Sequence, residues 1–489
     1  MKPDTRTAKL LPADLPPVLV GGTPLVHSQV ERLLVALEAR HEGETPPLVA
    51  ALRERADPAT LDRFAAALVE QWQRHGCGPR EGGIIQAAGQ FGGDEYARQL
   101  GALARNWKEK RQHGPVGLAL QCLFELGSEA ALMQLRAFTR VPRDWALKGT
   151  ATAYLLEAAA RRGLSLDDLD DRMTPTFGLD AEGSATFDFG SRRFHLVLSP
   201  SLRPTVRDDA GNERTDLPEP NSSDDAVLAA QAAAHWRVLK KQIADALKQQ
   251  SMRLEEAMLT QRSWRIADFE TYLLGHPLMR PLLRGLIWGG ISPGGTLAGT
   301  FRVAEDGTLA GPDDREWALP EGGRVLLLHP LHLTADLRHR WGELLADYEQ
   351  RPPFPQLGRA LHRPEPDEVA ERALTRRTGV PCMAAALAAA LERRGWVRAE
   401  AGRRGIYRAH RRAFIGRRGL LTAVIEYAPG IPVRDLRGAP TQCIACAYFL
   451  PRLLDGYPPG AGEALPLGDV DPIAFSEVAA LVEALTAHQ

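Results

Sequence analysis

Cysteine is scarce and odd in number, five in 489 residues. Small secreted domains pair their cysteines, so a disulfide-built scaffold is excluded. Long apolar runs are missing as well. The best, Met383 to Leu391, stops at Glu392, far short of the ~20 residues that span a bilayer. The start, Met1 to Leu15, mixes Lys, Asp, Arg and Pro and does not read as a signal peptide. Overall charge is nearly absent, −1 for the whole chain. No Gly-x-Gly-x-x-Gly follows a strand. Gly289-Gly290 and Gly294-Gly295 read as turn glycines and lack the Lys-Ser/Thr of a phosphate loop. Nucleophile-elbow, metalloprotease, helix-turn-helix, zinc-finger and RNA-binding signatures are all missing. The expectation is a cytoplasmic protein with no membrane contact, no metal and no cofactor. Its apolar content of 44% suits a globular chain of roughly two to four domains.

Against that neutral background one segment is strongly charged. Arg393 to Arg418 holds ten arginines and one acidic residue, Glu400. Three Arg-Arg-Gly units end at Gly395, Gly405 and Gly419, with Trp396, Tyr407 and Phe414 among them. Guanidinium groups match phosphate oxygens, and aromatic rings can stack on bases. Arg403, Arg404, Arg408, Arg411, Arg412, Arg417 and Arg418 are therefore the anion-binding candidates, with nucleic acid or another polyanion as the partner. The alternative is that they line the solvent face of a hairpin or pair with acidic surface from elsewhere in the chain.

Periodicity gives the organisation. Residues 1–25 are Pro-rich and read as loose. Residues 26–163 are helical, with Leu61, Phe64, Leu68 and Trp72 at three- and four-residue steps. A weak repeat aligns Phe91-Gly92-Gly93-Asp94-Glu95 with Leu126-Gly127-Ser128-Glu129-Ala130, offset by 35 residues. In each copy an apolar helix ends at a glycine and a second begins, as in HEAT-like repeats that present a face to a protein partner. Residues 164–365 read as a central α+β domain. Ala185 to Phe189 and Arg193 to Ser199 form a hairpin about Gly190-Ser191, and Ser223 caps a helix running to about Gln261. A second hairpin turns at Glu305-Asp306-Gly307, and Thr334 caps a helix to about Glu349. Residues 366–489 form a C-terminal α+β subdomain. There Pro366 to Arg394 reads as two helices separated near Gly379, and Leu420 to Tyr427 and Gln442 to Phe449 read as strands. Pro472 opens the last helix. The fold class expected is α+β, helical repeats followed by a mixed domain with antiparallel hairpins.

Three smaller motifs hold chemically capable side chains. Cys443-x-x-Cys446 supplies half of a zinc site, and strand geometry puts residues three apart on opposite faces, so core cysteines are expected. His276-Pro277-Leu278 and His329-Pro330-Leu331 read as histidines capping a break set by proline, or as acid-base groups. Arg302 and Glu305 read as a salt-linked hairpin or as active-site residues. An enzyme would gather Arg262, His276, Arg302, Glu305 and His329 into one polar pocket.

Taken together, several stretches resemble a bacterial family of unknown function found in MolR-like proteins. They are Leu169-Asp170-Asp171-Arg172, Phe177-Gly178-Leu179-Asp180, Asp188-Phe189-Gly190, Arg253-Leu254-Glu255, Trp288-Gly289, Phe301 to Gly307, Phe354 to Arg359 and Arg394-Gly395-Trp396, with both His-Pro-Leu triplets. The resemblance covers roughly residues 84–489. It implies helical repeats followed by an α+β domain, and it implies no reaction. Many members carry a WGR domain ahead of this region, and no Trp-Gly-Arg element is recognisable here. The leading expectation is an intracellular interaction or regulatory protein that binds an anionic partner. The competing one is an enzyme built on the five-residue pocket.

Overall fold

The computed structural model describes residues 14–38, 47–74, 88–89, 91–139, 144–402, 404–416, 419–436, 438–454 and 456–486. The chain divides into two compact units, Met1–Pro175 and Thr176–Gln489.

The first unit is helical. A small hairpin, β1 (Leu19–Val20) with β2 (Thr23–Pro24), leads into α1 (His27–Glu38), α2 (Pro47–Arg55) and α3 (Pro58–Arg74). Leu61, Phe64, Leu68 and Trp72 of α3 are all buried, as their spacing requires. Next come α4 (Asp94–Glu109), α5 (His113–Leu126), α6 (Glu129–Phe138) and α7 (Trp145–Ala160). Helices α4 and α6 begin where the repeat places them. Gly93 precedes Asp94 and Glu95 in the first turn of α4, and the Ser128 hydroxyl accepts the Ala131 N–H at 3.3 Å at the start of α6. Gly127 ends α5 in the left-handed region, φ 62°. The apolar helix expected before Gly92, and Cys77, lie outside the described residues. A short α8 (Leu166–Arg172) closes the unit with a capping box between Ser165 and Asp168.

The second unit is α+β and, among the described residues, holds three antiparallel sheets. The first is a meander of β3 (Thr186–Asp188), β4 (Arg193–Leu198), β5 (Pro204–Asp208) and β6 (Glu213–Arg214). A 34-residue helix, α9 (Ala226–Leu259), lays Trp236, Leu239, Ile243 and Leu247 into the core that this sheet shares. Its cap is Asp225 rather than Ser223. The Asp225 carboxylate accepts the N–H groups of Val227 and Leu228, both at 2.9 Å. Ser223 is instead held in the preceding loop by Asn221, beside Asp224, whose Arg192 bond keeps its carboxyl well below the usual range.

The second sheet runs β10-β9-β8-β11-β7. Its strands are β7 (Ser263–Arg265), β8 (Trp288–Ile291), β9 (Leu297–Val303), β10 (Leu309–Ala310) and β11 (Arg324–Leu327). Gly289 and Gly290 are not in a turn. They lie within β8, because the indole of Trp317 crosses the sheet there, stacked on Phe301 with ring centroids 4.8 Å apart. A Cβ on Gly290 would meet Trp317 Cη2 at 2.2 Å and Pro320 Cδ at 3.0 Å. Gly290→Ala is therefore expected to destabilise this unit by about 1–3 kcal/mol, read as a lower urea midpoint. Behind the sheet, α10 (Ala335–Asp347) follows its Thr334 cap.

The third sheet runs β12-β16-β15-β14-β13. It comprises β12 (Pro381–Cys382), β13 (Val397–Arg398), β14 (Ile406–Gly416), β15 (Gly419–Pro432) and β16 (Gln442–Leu450). Helices α11 (Ala384–Arg393) and α12 (Pro472–Thr486) pack on it through Leu387, Leu391, Phe475 and Val478. Of the two helices expected over Pro366 to Arg394, the second forms and the first does not. Residues 366–379 make turns instead. Leu374 there exchanges both backbone hydrogen bonds with Ala447 at the sheet edge, which spends the groups a helix would use. Cys443 and Cys446 are half-buried rather than core residues, because a bulge opposite Glu426 and Tyr427 falls between them. Burial, then the Glu426 charge, push the Cys446 thiol up to about 11.

Candidate functional site

The five residues expected in one pocket each have local partners. The Arg262 guanidinium lies 4.8 Å from the Trp264 ring centroid. His276 Nδ1 accepts the N–H groups of Leu278 and Met279 at 3.2 and 3.3 Å. The buried Arg302 donates to Asp314 at 2.7 Å and lies 4.1 Å from the centre of the Tyr348 ring. Glu305 is exposed on its hairpin, and its backbone carbonyl accepts from Arg284 at 2.7 Å. His329 is fully buried and caps its own break, its Nδ1 accepting the Leu331 N–H at 3.2 Å. The ring proton then sits on Nε2, which donates to Glu477 at 3.1 Å.

Glu477 is the centre of a buried ionic network. It lies on α12 and pairs with His329 on one side and with Arg359, at 3.0 Å, on the other. The same guanidinium reaches Glu255 of α9. One position along α9, Glu256 pairs with Arg412 of β14. Burial alone would raise the Glu477 carboxyl. The His329 hydrogen bond and the charges of Arg359 and Arg412 outweigh it and hold the group below its ordinary value. Gln356, three residues before Arg359, fixes the segment. Its buried amide accepts from Ile287 N–H and donates to the carbonyls of Ile287 and Leu328, at 2.7–2.9 Å. His329 was a candidate from sequence. Arg359, Glu255 and Glu477 were not, although Arg359 and Glu255 belong to the motifs that carry the family resemblance.

Two cavities open beside this network. One, of about 490 Å³, is lined by Gln261, His332, His362 and Asp471 with apolar neighbours. Gln261 donates to Asp471, which also caps α12 through the N–H groups of Ile473 and Ala474. The other, of about 530 Å³, is lined by Arg338, Arg359 and Arg363. Both share Leu331, Arg363 and Pro364.

The arginine-rich segment is not one basic face. Arg398 pairs with Glu392 at 2.6 Å and stacks on Tyr407, Arg412 is taken by Glu256, and Arg394 donates to the Ala390 carbonyl. Arg411 is half-buried. Arg404 and Arg408 are exposed, and neither has an ion-pair partner among the described residues. Arg403, Arg417 and Arg418 lie outside the described residues. Among the described residues, no group of three or more His, Cys, Asp or Glu is placed to hold a metal ion, and no helix is long and apolar enough to cross a membrane.

These features describe an α+β region with a charged interior and two polar cavities. Residues 211–396 match a domain of unknown function (DUF4132), which supports placing the region in a family of unknown function. The chain is also 31% identical over 382 residues to a protein of Escherichia coli (strain K12) named Uncharacterized protein YehI, across 78% of this chain and 31% of that protein. It thus spans about a third of that relative's length. No solved structure matches.

Proposed function

We propose that residues from Thr176 onward form a binding module for an anionic partner, nucleic acid or another polyanion. The chain then serves interaction or regulation, in line with its resemblance to MolR-like proteins. The observation that carries this reading is the pair Arg404 and Arg408, exposed beside a long hairpin while the arginines around them are taken up by Glu392, Glu256 and backbone carbonyls. An exposed guanidinium with no carboxylate partner is available to phosphate. The helical residues 26–163 act as a scaffold for a protein partner in the same proposal. The catalytic alternative asks His276 and His329 for a free ring nitrogen to exchange protons. Their capping bonds to backbone N–H groups favour the binding reading.

Arg404→Gln with Arg408→Gln is expected to weaken binding of a single-stranded DNA oligonucleotide. The salt slope should fall by about two, roughly one for each phosphate that a guanidinium no longer neutralises. Fluorescence anisotropy across a salt series measures both. A chain that binds neither DNA nor polyphosphate at low salt sinks the proposal.

A further inference from the structure

We infer that the cavity of about 530 Å³ between the start of α10 and the segment around Arg359 is a binding site for the phosphoryl group of a small ligand. Three guanidiniums line it: Arg338 of α10, and Arg359 and Arg363 from one segment. The Nε–H groups of Arg338 and Arg359 are buried and have no hydrogen-bond partner. Each guanidinium carries further N–H donors beyond its buried Nε, and those are the groups an acceptor in the cavity would meet. Among the described residues, neither Arg338 nor Arg363 has an ion-pair partner, so their charges are not neutralised by the fold. Arg359 is already balanced by Glu477 and Glu255 and serves as a rigid donor. One carboxylate, Glu365, lies on the rim, where Arg376 sits 3.7 Å from it.

The arrangement selects among anions. A planar carboxylate is satisfied by one guanidinium fork, whereas three guanidiniums on two sides of one cavity suit a tetrahedral group with several oxygens. The cavity is larger than a lone phosphate and has apolar walls from Pro330, Leu331 and Leu361, which fits a phosphorylated small molecule. This site is separate from the arginines of the β14 hairpin, so either proposal can fail without the other.

Calorimetric titration of the full chain with inorganic phosphate and with pyrophosphate, at low ionic strength, tests it. Binding is expected, with acetate much weaker. Arg338→Gln and Arg363→Gln should each weaken it by about ten-fold or more, the scale of one charged hydrogen bond. Arg340→Gln, an exposed neighbour on α10 that does not line the cavity, should bind as the parent does. Arg363 is exposed, so its variant should fold even if Arg338→Gln does not; circular dichroism checks both. Failure to bind phosphate or pyrophosphate, acetate binding as tightly as phosphate, or binding unchanged in a folded Arg363→Gln chain would each overturn the assignment.

Discussion

Arg359→Leu is expected to destabilise the Thr176–Gln489 unit by about 3–5 kcal/mol, the cost of leaving a buried partner charge uncompensated. Glu477 is the reason. Its side chain is 13% exposed, and Arg359, at 14%, is its direct counter-ion. Removing the guanidinium strands Glu477 and frees Glu255 as well. Removing both ends is a different matter. The double variant Arg359→Leu/Glu477→Leu deletes the stranded charge and should recover at least half of the loss. Urea unfolding of the parent, both single variants and the double variant gives the coupling directly. A single-variant loss under about 1 kcal/mol would mean that the network is solvated like a surface pair.

Stability should also fall as the solution is acidified from pH 6.5 toward 4, through His410. This ring is fully buried in the third sheet. Its Nδ1 lies 2.9 Å from the Tyr427 hydroxyl, and Glu392 lies 3.7 Å from Nε2. Burial, the dominant cause, drives its pKa down to about 4, with Glu392 pulling it up and Arg398 pushing it down. In the unfolded chain the ring takes its proton near pH 6.5. Between those values the unfolded state holds more protons, so the stabilisation is complete above pH 6.5 and lost as pH falls toward 4. The slope should approach about 1.4 kcal/mol per pH unit, for a total of about 3 kcal/mol. His410→Gln keeps a partner for Tyr427 and removes the titration, so its curve should be flat between pH 6.5 and 5. Glu477 acts in a lower window. Its carboxyl is held below the ordinary value, so its contribution is present above the unfolded carboxylate range of about 4.3 and disappears only below it. An unchanged slope in His410→Gln would assign the acid sensitivity to other groups.

Local rules made much of this fold legible. The buried stripe of α3, the Thr334 and Asp471 caps, and the turns at Gly190-Ser191 and Glu305-Asp306-Gly307 all follow from side chains within a few residues of one another. Local rules failed where a distant partner decided. Leu374 abandoned a helical pattern because the edge of β16 offered its backbone two hydrogen bonds. Gly290 reads as a turn residue until Trp317 is seen lying on it. Ser223 lost its cap role to Asp225, two positions on, because Asp224 and Asn221 already held the loop.

The amino-acid sequence by itself determined an α+β chain with a helical first part, few cysteines, two capping histidines and one dense arginine segment. Composition, periodicity and turn chemistry are properties of neighbouring residues, and they act wherever the rest of the chain lies. The tertiary structure decided which charges are spent. Glu255, His329, Arg359 and Glu477 come from four separate stretches and meet in one network, and Arg412 leaves the basic segment for Glu256. Coulomb interactions and hydrogen bonds depend on distance through space, not on spacing along the chain. The availability of Arg338, Arg363, Arg404 and Arg408 therefore became visible only once the acidic partners of their neighbours had been placed.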